Sequence, residues 1–316
     1  MRALISGIGG FAGAHLARHL LESGDEVIGC SSRGTWPVEI PAQVADNATI
    51  FRWDISQEIP TVIRRQISEF APEAVYHLAA ISVPSACGND EPTPKAVAVN
   101  VQGTKAVLEL VGTLASRPRL VFASSCYVYA PVSAGQPKVR EDAPLGAQRG
   151  YAKSKLQAER LITAAAKTGR VDAIIARAFQ HSGPRQSPQM ILPDWASQLA
   201  ASSNEPIRVF CRDAYLDLSD VRDVVRAYRA LVVDGKPRTV YNVGSGICRR
   251  SGDLLQQLLD ISKSGRDVVE IDPGRRQHPI ADVSRIMAHT KWKPHIGIRE
   301  TLEDILEYWQ RRNESP

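Results

Sequence analysis

The chain has 316 residues, 43% of them hydrophobic and 23% charged. That is enough for about two domains with a full apolar core, and it excludes a disordered or collagen-like chain. The 39 Lys and Arg against 34 Asp and Glu leave a net charge of +5, which favours an anionic partner. The basic residues are scattered pairs such as Arg64-Arg65 rather than a run interleaved with aromatics, so no nucleic-acid partner is expected. In chain order, an apolar run over residues 2–6 reads as a strand that stops at Gly7. Residues 11–21 then read as a helix, with Phe11, Ala14, Leu16, Ala17, Leu20 and Leu21 apolar. Further strands are predicted over 26–30, 49–53, 74–78, 119–124 and 171–176. A long helix over 93–115 carries Val97, Val101, Thr104, Leu108 and Val111 at helical spacing. Strands alternating with helices imply parallel βαβ units, hence an α/β, Rossmann-type doubly wound parallel sheet with a smaller C-terminal substrate lobe.

After Ala176 prolines 184, 188, 193 and 206 break the rhythm. A helix over 218–233, a strand over 239–243, and helices over 251–262 and 299–310 follow. The expected division is 1–176 plus 219–243 for a cofactor domain and 177–218 plus 244–316 for the lobe. Residues 130–148, with Pro131, Pro137 and Pro144, read as a loop on the side where strands end.

The first turn spaces Gly7, Gly10 and Gly13 as Gly-x-x-Gly-x-x-Gly, after a strand and before a helix. Gly7 permits the tight turn, Gly10 lets the backbone approach a pyrophosphate, and Gly13 lets helix and sheet pack closely. Phosphates would sit at the helix N-terminus, beginning at Phe11. The second strand ends Ser31-Ser32-Arg33 without a carboxylate for a ribose hydroxyl. Hydroxyls and a guanidinium suit a 2′-phosphate, so NADP(H) is expected over NAD(H). Asp54 and Ile55 are placed at the adenine edge, and Leu78, Ala79 and Ala80 under the nicotinamide-side ribose.

Tyr151 and Lys155 lie four apart on a predicted helix and so share a face. A free phenol titrates near ~10, and an ammonium beside it favours the phenolate. Tyr151 can then exchange a proton with a substrate oxygen, and Lys155 can hold a ribose. A hydroxyl within Ser124–Tyr127 can bind the same oxygen. The cysteines at 30, 87, 126, 211 and 248 are odd in number and dispersed, so reduced thiols are expected, with no zinc or other metal. No apolar stretch approaches the ~18 residues of a membrane span, and no leader is expected ahead of the first strand. The expectation is a soluble cytoplasmic protein.

Taken together, several motifs resemble the extended short-chain dehydrogenases/reductases that act on nucleotide sugars. They are the glycine turn, His77-Leu78-Ala79-Ala80, Asn100–Thr104, Ser124-Ser125 through Val128-Tyr129, Tyr151/Lys155, Arg177-Ala178-Phe179, Asp220–Asp223 and Tyr241–Gly246. The resemblance implies a catalytic Ser125, Tyr151 and Lys155. It also implies cofactor contacts from Asn100 and Phe179, and substrate contacts from Ser82, Ser125, Gln180 and Arg222, while Arg185 and either Arg275 or Arg276 are expected to supply diphosphate contacts in place of an arginine the family has and this chain lacks. A homodimer through helices near 93–115 and 149–168 is implied as well. Within the family the loop 177–187 is similar to that of reductases of GDP-linked 4-keto-6-deoxyhexoses. The family's 4,6-dehydratases carry carboxylates where this chain has Cys126 and Tyr127, and the family's nucleotide-holding arginine falls at Leu216. Reduction of the C4 keto group of such a sugar is the leading reading. A 4-epimerase, a 4,6-dehydratase and a non-catalytic NADP-binding sensor or scaffold are the alternatives.

Overall fold

The computed structural model describes residues 1–37 and 39–314. The last two residues of the expected lobe therefore lie outside the described residues. Seven parallel strands form the central sheet. From one edge to the other they run Val240–Val243, Asp172–Ala178, Arg119–Ser125, Ala74–His77, Arg2–Ser6, Glu26–Ser31 and Ala48–Arg52. The chain direction across the sheet reverses between Arg2–Ser6 and Ala74–His77, so the crevice of a doubly wound fold opens above Gly7 and Leu78.

Strand residues alternate between two apolar layers, which is why the strands read as continuous apolar runs. Ala3, Ile5, Tyr76, Val121 and Ile174 face helices Phe11–Glu22 and Val221–Asp234, whose Leu16, Leu20, Val224, Tyr228 and Leu231 close that layer. Leu4, Val75, Leu120, Phe122 and Ile175 face the opposite layer, with Val107 of Gly103–Val111 and Ile162 of Gly150–Lys167. The short helices Ala42–Asn47 and Thr61–Phe70 lie in stretches to which the sequence pattern assigns no element.

The lobe has its own apolar cluster, with Trp195, Leu255, Leu302, Ile305 and Trp309 from helices Ile191–Ala200, Ser251–Ser262 and Ile298–Glu314. Its main strand, Ala214–Asp220, pairs with Cys248–Arg250, Arg276–Gln277 and Gln180–Ser182.

Two expectations need correction. Residues 218–220 are the end of a strand, not the start of a helix. The Asp220 carboxylate accepts from Arg222 N at 2.7 Å, capping the helix that begins only at Val221. The helix expected over 93–115 is not regular. It runs from Pro94 to Val111 with a π-helical segment, Val97–Gln102, in its middle. There Thr104 Oγ1 donates to Asn100 O at 2.7 Å, competing with the regular i→i−4 ladder for that carbonyl. The 130–148 loop also contains a short strand, Lys138–Val139, parallel to Ile280–Ala281.

Candidate active site

The glycine turn has the geometry its spacing demands. Gly7 has φ +81°, and a Cβ there would lie 2.7 Å from Ala79 N. A Cβ on Gly13 would lie 2.1 Å from Gly7 O, so only glycine lets the helix start this close to the strand. Gly7 N donates to Cys30 O at 2.8 Å and Gly10 N to Gly7 O at 2.9 Å. The helix then opens at Phe11 with no side-chain cap and no acidic residue in its first turn. Its end therefore presents open N–H groups and the positive end of the dipole. These features fit the pyrophosphate of a dinucleotide. The Phe11 ring turns away, stacked on His181 at 6.1 Å between centroids, which leaves only its main chain to the crevice.

Beyond the second strand, Gly34 N donates to Ser31 Oγ at 3.0 Å and closes a tight turn. Ser32 and Arg33 stand exposed at its tip, with no intramolecular hydrogen bond among the described residues. Asp54 is exposed, and its Oδ1 accepts from Ser56 N and Oγ at 3.0 and 2.7 Å. Ile55 is a core residue packed against Gly103. Leu78, Ala79 and Ala80 lie half-buried past the fourth strand.

Two expected cofactor residues are tied into the chain itself. Both ends of the Asn100 amide are used. Oδ1 accepts from Ile81 N at 2.8 Å, and Nδ2 donates to Ile81 O at 3.0 Å and to Ser154 Oγ at 2.9 Å. Asn100 thus ties the loop bearing Ser82 to the helix bearing Tyr151. Phe179 is buried among Cys126, Tyr129, Val139 and Ala281, which leaves any cofactor contact to its main chain.

Ser125, Tyr151 and Lys155 converge at the end of strand Arg119–Ser125. Tyr151 and Lys155 lie one turn apart on helix Gly150–Lys167, which packs on that strand. Burial pushes the Tyr151 phenol above its ordinary value, and its hydrogen bond with Ser125 pulls the other way. The expected lowering by Lys155 is not what sets the phenol here: burial dominates, and Ser125 is the group that opposes it. Lys155 is buried, donates to Ala123 O at 2.8 Å and lies 4.9 Å above the Phe122 ring. Burial lowers it to about 8.

Beneath this trio is a buried ionic knot that the sequence reading missed. Glu159 receives Arg177 Nε and Nη2 at 2.9 and 2.8 Å, and Ser124 Oγ at 2.5 Å. Ser124 is therefore committed to Glu159, while Ser125 Oγ accepts from Tyr127 N at 3.3 Å and meets the Tyr151 hydroxyl. The signal was in the sequence: Glu159 continues the Tyr151, Lys155 series by one more turn of helix.

The dehydratase carboxylate positions hold different chemistry here. Cys126 is buried and pushed up by burial. The Tyr127 side chain is 39% exposed, but desolvation around its hydroxyl, which accepts from Gln180 Nε2 at 3.0 Å, raises the phenol above its ordinary value. The expected substrate cations differ in availability. Arg222 is bound to Asp220 and Asp304, and Arg276 to Asp272. Arg185 lines a separate cavity to which none of Ser125, Tyr151 and Lys155 contributes. Leu216 belongs to the lobe core.

The model of the NAD dependent epimerase/dehydratase family matches residues 3–244. The chain belongs to this family. Among epimerase/dehydratase relatives, GDP-6-deoxy-D-mannose reductase of Pseudomonas aeruginosa is 28% identical, with 98% of each chain covered. A dTDP-glucose 4,6-dehydratase of Neisseria gonorrhoeae is 25% identical over 98% of this chain and 96% of its own. A structure of RMD from Pseudomonas aeruginosa complexed with NADPH superposes with TM-score 0.80 at 26% identity, covering 98% of this chain and 99% of that one. A Thermus thermophilus UDP-glucose 4-epimerase complex with NAD superposes with TM-score 0.85 at 25% identity and the same coverage. The protein is an enzyme of this family, whose named relatives modify nucleotide-linked sugars. No helix among the described residues is long and apolar enough to cross a membrane.

Proposed function

We propose that this enzyme reduces the C4 keto group of a nucleotide-linked 4-keto-6-deoxyhexose of the GDP-4-keto-6-deoxy-D-mannose type. The glycine turn and Ser31, Ser32 and Arg33 would hold NADPH, which would supply the hydride. Ser125 donates a hydrogen bond to the keto oxygen, and the Tyr151 phenol, already hydrogen-bonded to Ser125, delivers the proton. Its raised value means that the phenol carries its proton at neutral pH, as a general acid requires. Lys155, held by Ala123 O, keeps positive charge beneath the crevice, where it favours the phenolate left behind. Ser82 and Gln180 flank the sugar.

The single observation that carries reduction over water elimination is the pair Cys126 and Tyr127. With a buried thiol and a high-lying phenol in place of two carboxylates, the site lacks a base to remove a carbon-bound proton and a matched acid for a leaving hydroxyl. Reduction over epimerisation rests on the exposed Ser32-Arg33 tip, suited to a cofactor pool held reduced. The enzyme is placed in the cytoplasm and is read as a homodimer through helices 94–111 and Gly150–Lys167.

The test is absorbance at 340 nm with NADPH and GDP-4-keto-6-deoxy-D-mannose. One NADPH consumed per sugar is expected. No NADPH consumption with this substrate, together with inversion at C4 of a nucleotide sugar that carries a C4 hydroxyl, would favour the epimerase.

A further inference from the structure

A second cavity of about 900 Å³ lies outside the site described above. It runs along the outer side of helix Phe11–Glu22 and is closed by helices Val221–Asp234 and Ile298–Glu314 and by Pro184-Arg185. No residue of the glycine turn lines it, nor do Ser31, Ser32 or Arg33. Its size falls in the range of small-molecule sites.

Six arginines and four carboxylates line it. Each carboxylate already has a partner: Glu22 holds Arg18 at 2.7 Å, Asp304 holds Arg222 at 2.7 Å, Glu307 holds Arg311 at 2.5 Å, and Glu39 holds Arg312 at 3.4 Å. Arg226 is neutralised by Asp223 from outside the lining. Arg185 remains. It is half-buried and makes no hydrogen bond or ion pair among the described residues. Its φ of +71° lies in the left-handed region, which is costly for a residue with a Cβ. A half-buried guanidinium without a partner is itself unfavourable. The fold therefore bears two costs to hold, at the wall of a cavity, one cation with no direct partner, on which Glu39 and Tyr308 act only through their charge. Beside it, burial and then the Arg185 charge push His15 down to about 4. Its Nε2 is 3.0 Å from Pro184 O, a contact that joins the first helix to the loop carrying Arg185.

We propose that this cavity binds a phosphate-bearing small molecule, with Arg185 as the anchoring cation. A planar guanidinium with free donors matches two phosphate oxygens at once. Glu39 and Tyr308, which hydrogen-bond each other and whose charges act on Arg185, suit hydroxyl groups on the same ligand. The site joins helix Phe11–Glu22 of the central sheet to the C-terminal helix of the lobe, so its occupant bridges the two. It is independent of the proposed reaction.

The test is calorimetric titration of inorganic pyrophosphate, and separately of glucose 6-phosphate, into the full chain with excess NADP⁺ present. Saturable binding of at least one is expected, weakened about tenfold or more in Arg185→Gly. Glycine also relieves the left-handed strain, so the melting temperature of this variant should equal or exceed that of the wild type. Glucose 6-phosphate binding more tightly than pyrophosphate would place the hydroxyls at Glu39, and the reverse would assign the site to bare polyphosphate. The absence of saturable heat with either probe, or an Arg185→Gly variant that binds as the wild type does, would overturn the proposal.

Discussion

Lys155 is a buried ammonium whose surroundings press it toward neutrality, and this has a measurable sign. Its folded value of about 8 lies below the ordinary 10.5. Between those two values the unfolded chain keeps a proton that the folded protein has released, so stability rises with pH across that window. Below about 8 both states carry the charge and the folded state bears the full desolvation penalty. Relative to Lys155→Met, the wild type is expected to gain about 2 kcal/mol of unfolding free energy between pH 7 and 10. Urea titrations of both proteins across that range check it, and parallel pH profiles would refute it. Arg33 allows an equally local test. It is exposed at the tip of the Ser31–Gly34 turn with no partner among the described residues, and the proposal gives it the 2′-phosphate that NADPH has and NADH lacks. Arg33→Ala is expected to weaken NADPH binding about tenfold and to leave NADH binding unchanged, measured by quenching of protein fluorescence.

At the scale of the element, helix Gly150–Lys167 organises the chemistry. Its buried face presents Tyr151, Lys155 and Glu159 at successive turns, and Glu159 anchors the helix to Arg177 and Ser124 on two neighbouring strands. Glu159→Gln keeps the shape but leaves the Arg177 charge buried without a counter-ion. A loss of about 3 kcal/mol is expected in chemical denaturation, with turnover falling as the Ser125 strand end loosens; a variant as stable as the wild type would show that the knot is dispensable. The sequence made the Tyr151–Lys155 part of this helix legible, because spacing alone puts two residues four apart on one face. It did not reveal that Asn100 acts on the same helix through Ser154. That link depends on a π-helical segment, which shifts the face of a helix without changing its apolar periodicity. Leu218 was misplaced for a related reason: Val221–Val232 is strongly periodic, and the periodicity bled backward over a strand end that only the Asp220 cap marks.

For the whole molecule, the parallel sheet was readable because its strands are buried on both faces and its crossovers are helices of ordinary length. The lobe was harder. Its strands are two to seven residues long, and Asp217, fully buried, reads as a surface residue in sequence. In the fold its carboxylate binds Ser245 N, Gly246 N and Ala281 N at 2.8, 2.9 and 3.0 Å, fastening three segments together. The expected substrate arginines also carry contacts that sequence does not show: Arg222 is paired with Asp220 and Asp304, Arg276 with Asp272, and Arg185 lines a separate cavity. The glycine crevice and the Ser125–Tyr151–Lys155 convergence do not depend on those assignments. Their joint role rests on the proton carried by one phenol, which Tyr151→Phe removes while leaving the ring and its packing in place. With NADPH and GDP-4-keto-6-deoxy-D-mannose, this variant is expected to lose about 10²–10⁴-fold in kcat and to bind NADPH within about threefold of the wild type, whereas a variant turning over at near wild-type rate would contradict the assignment of Tyr151 as the acid.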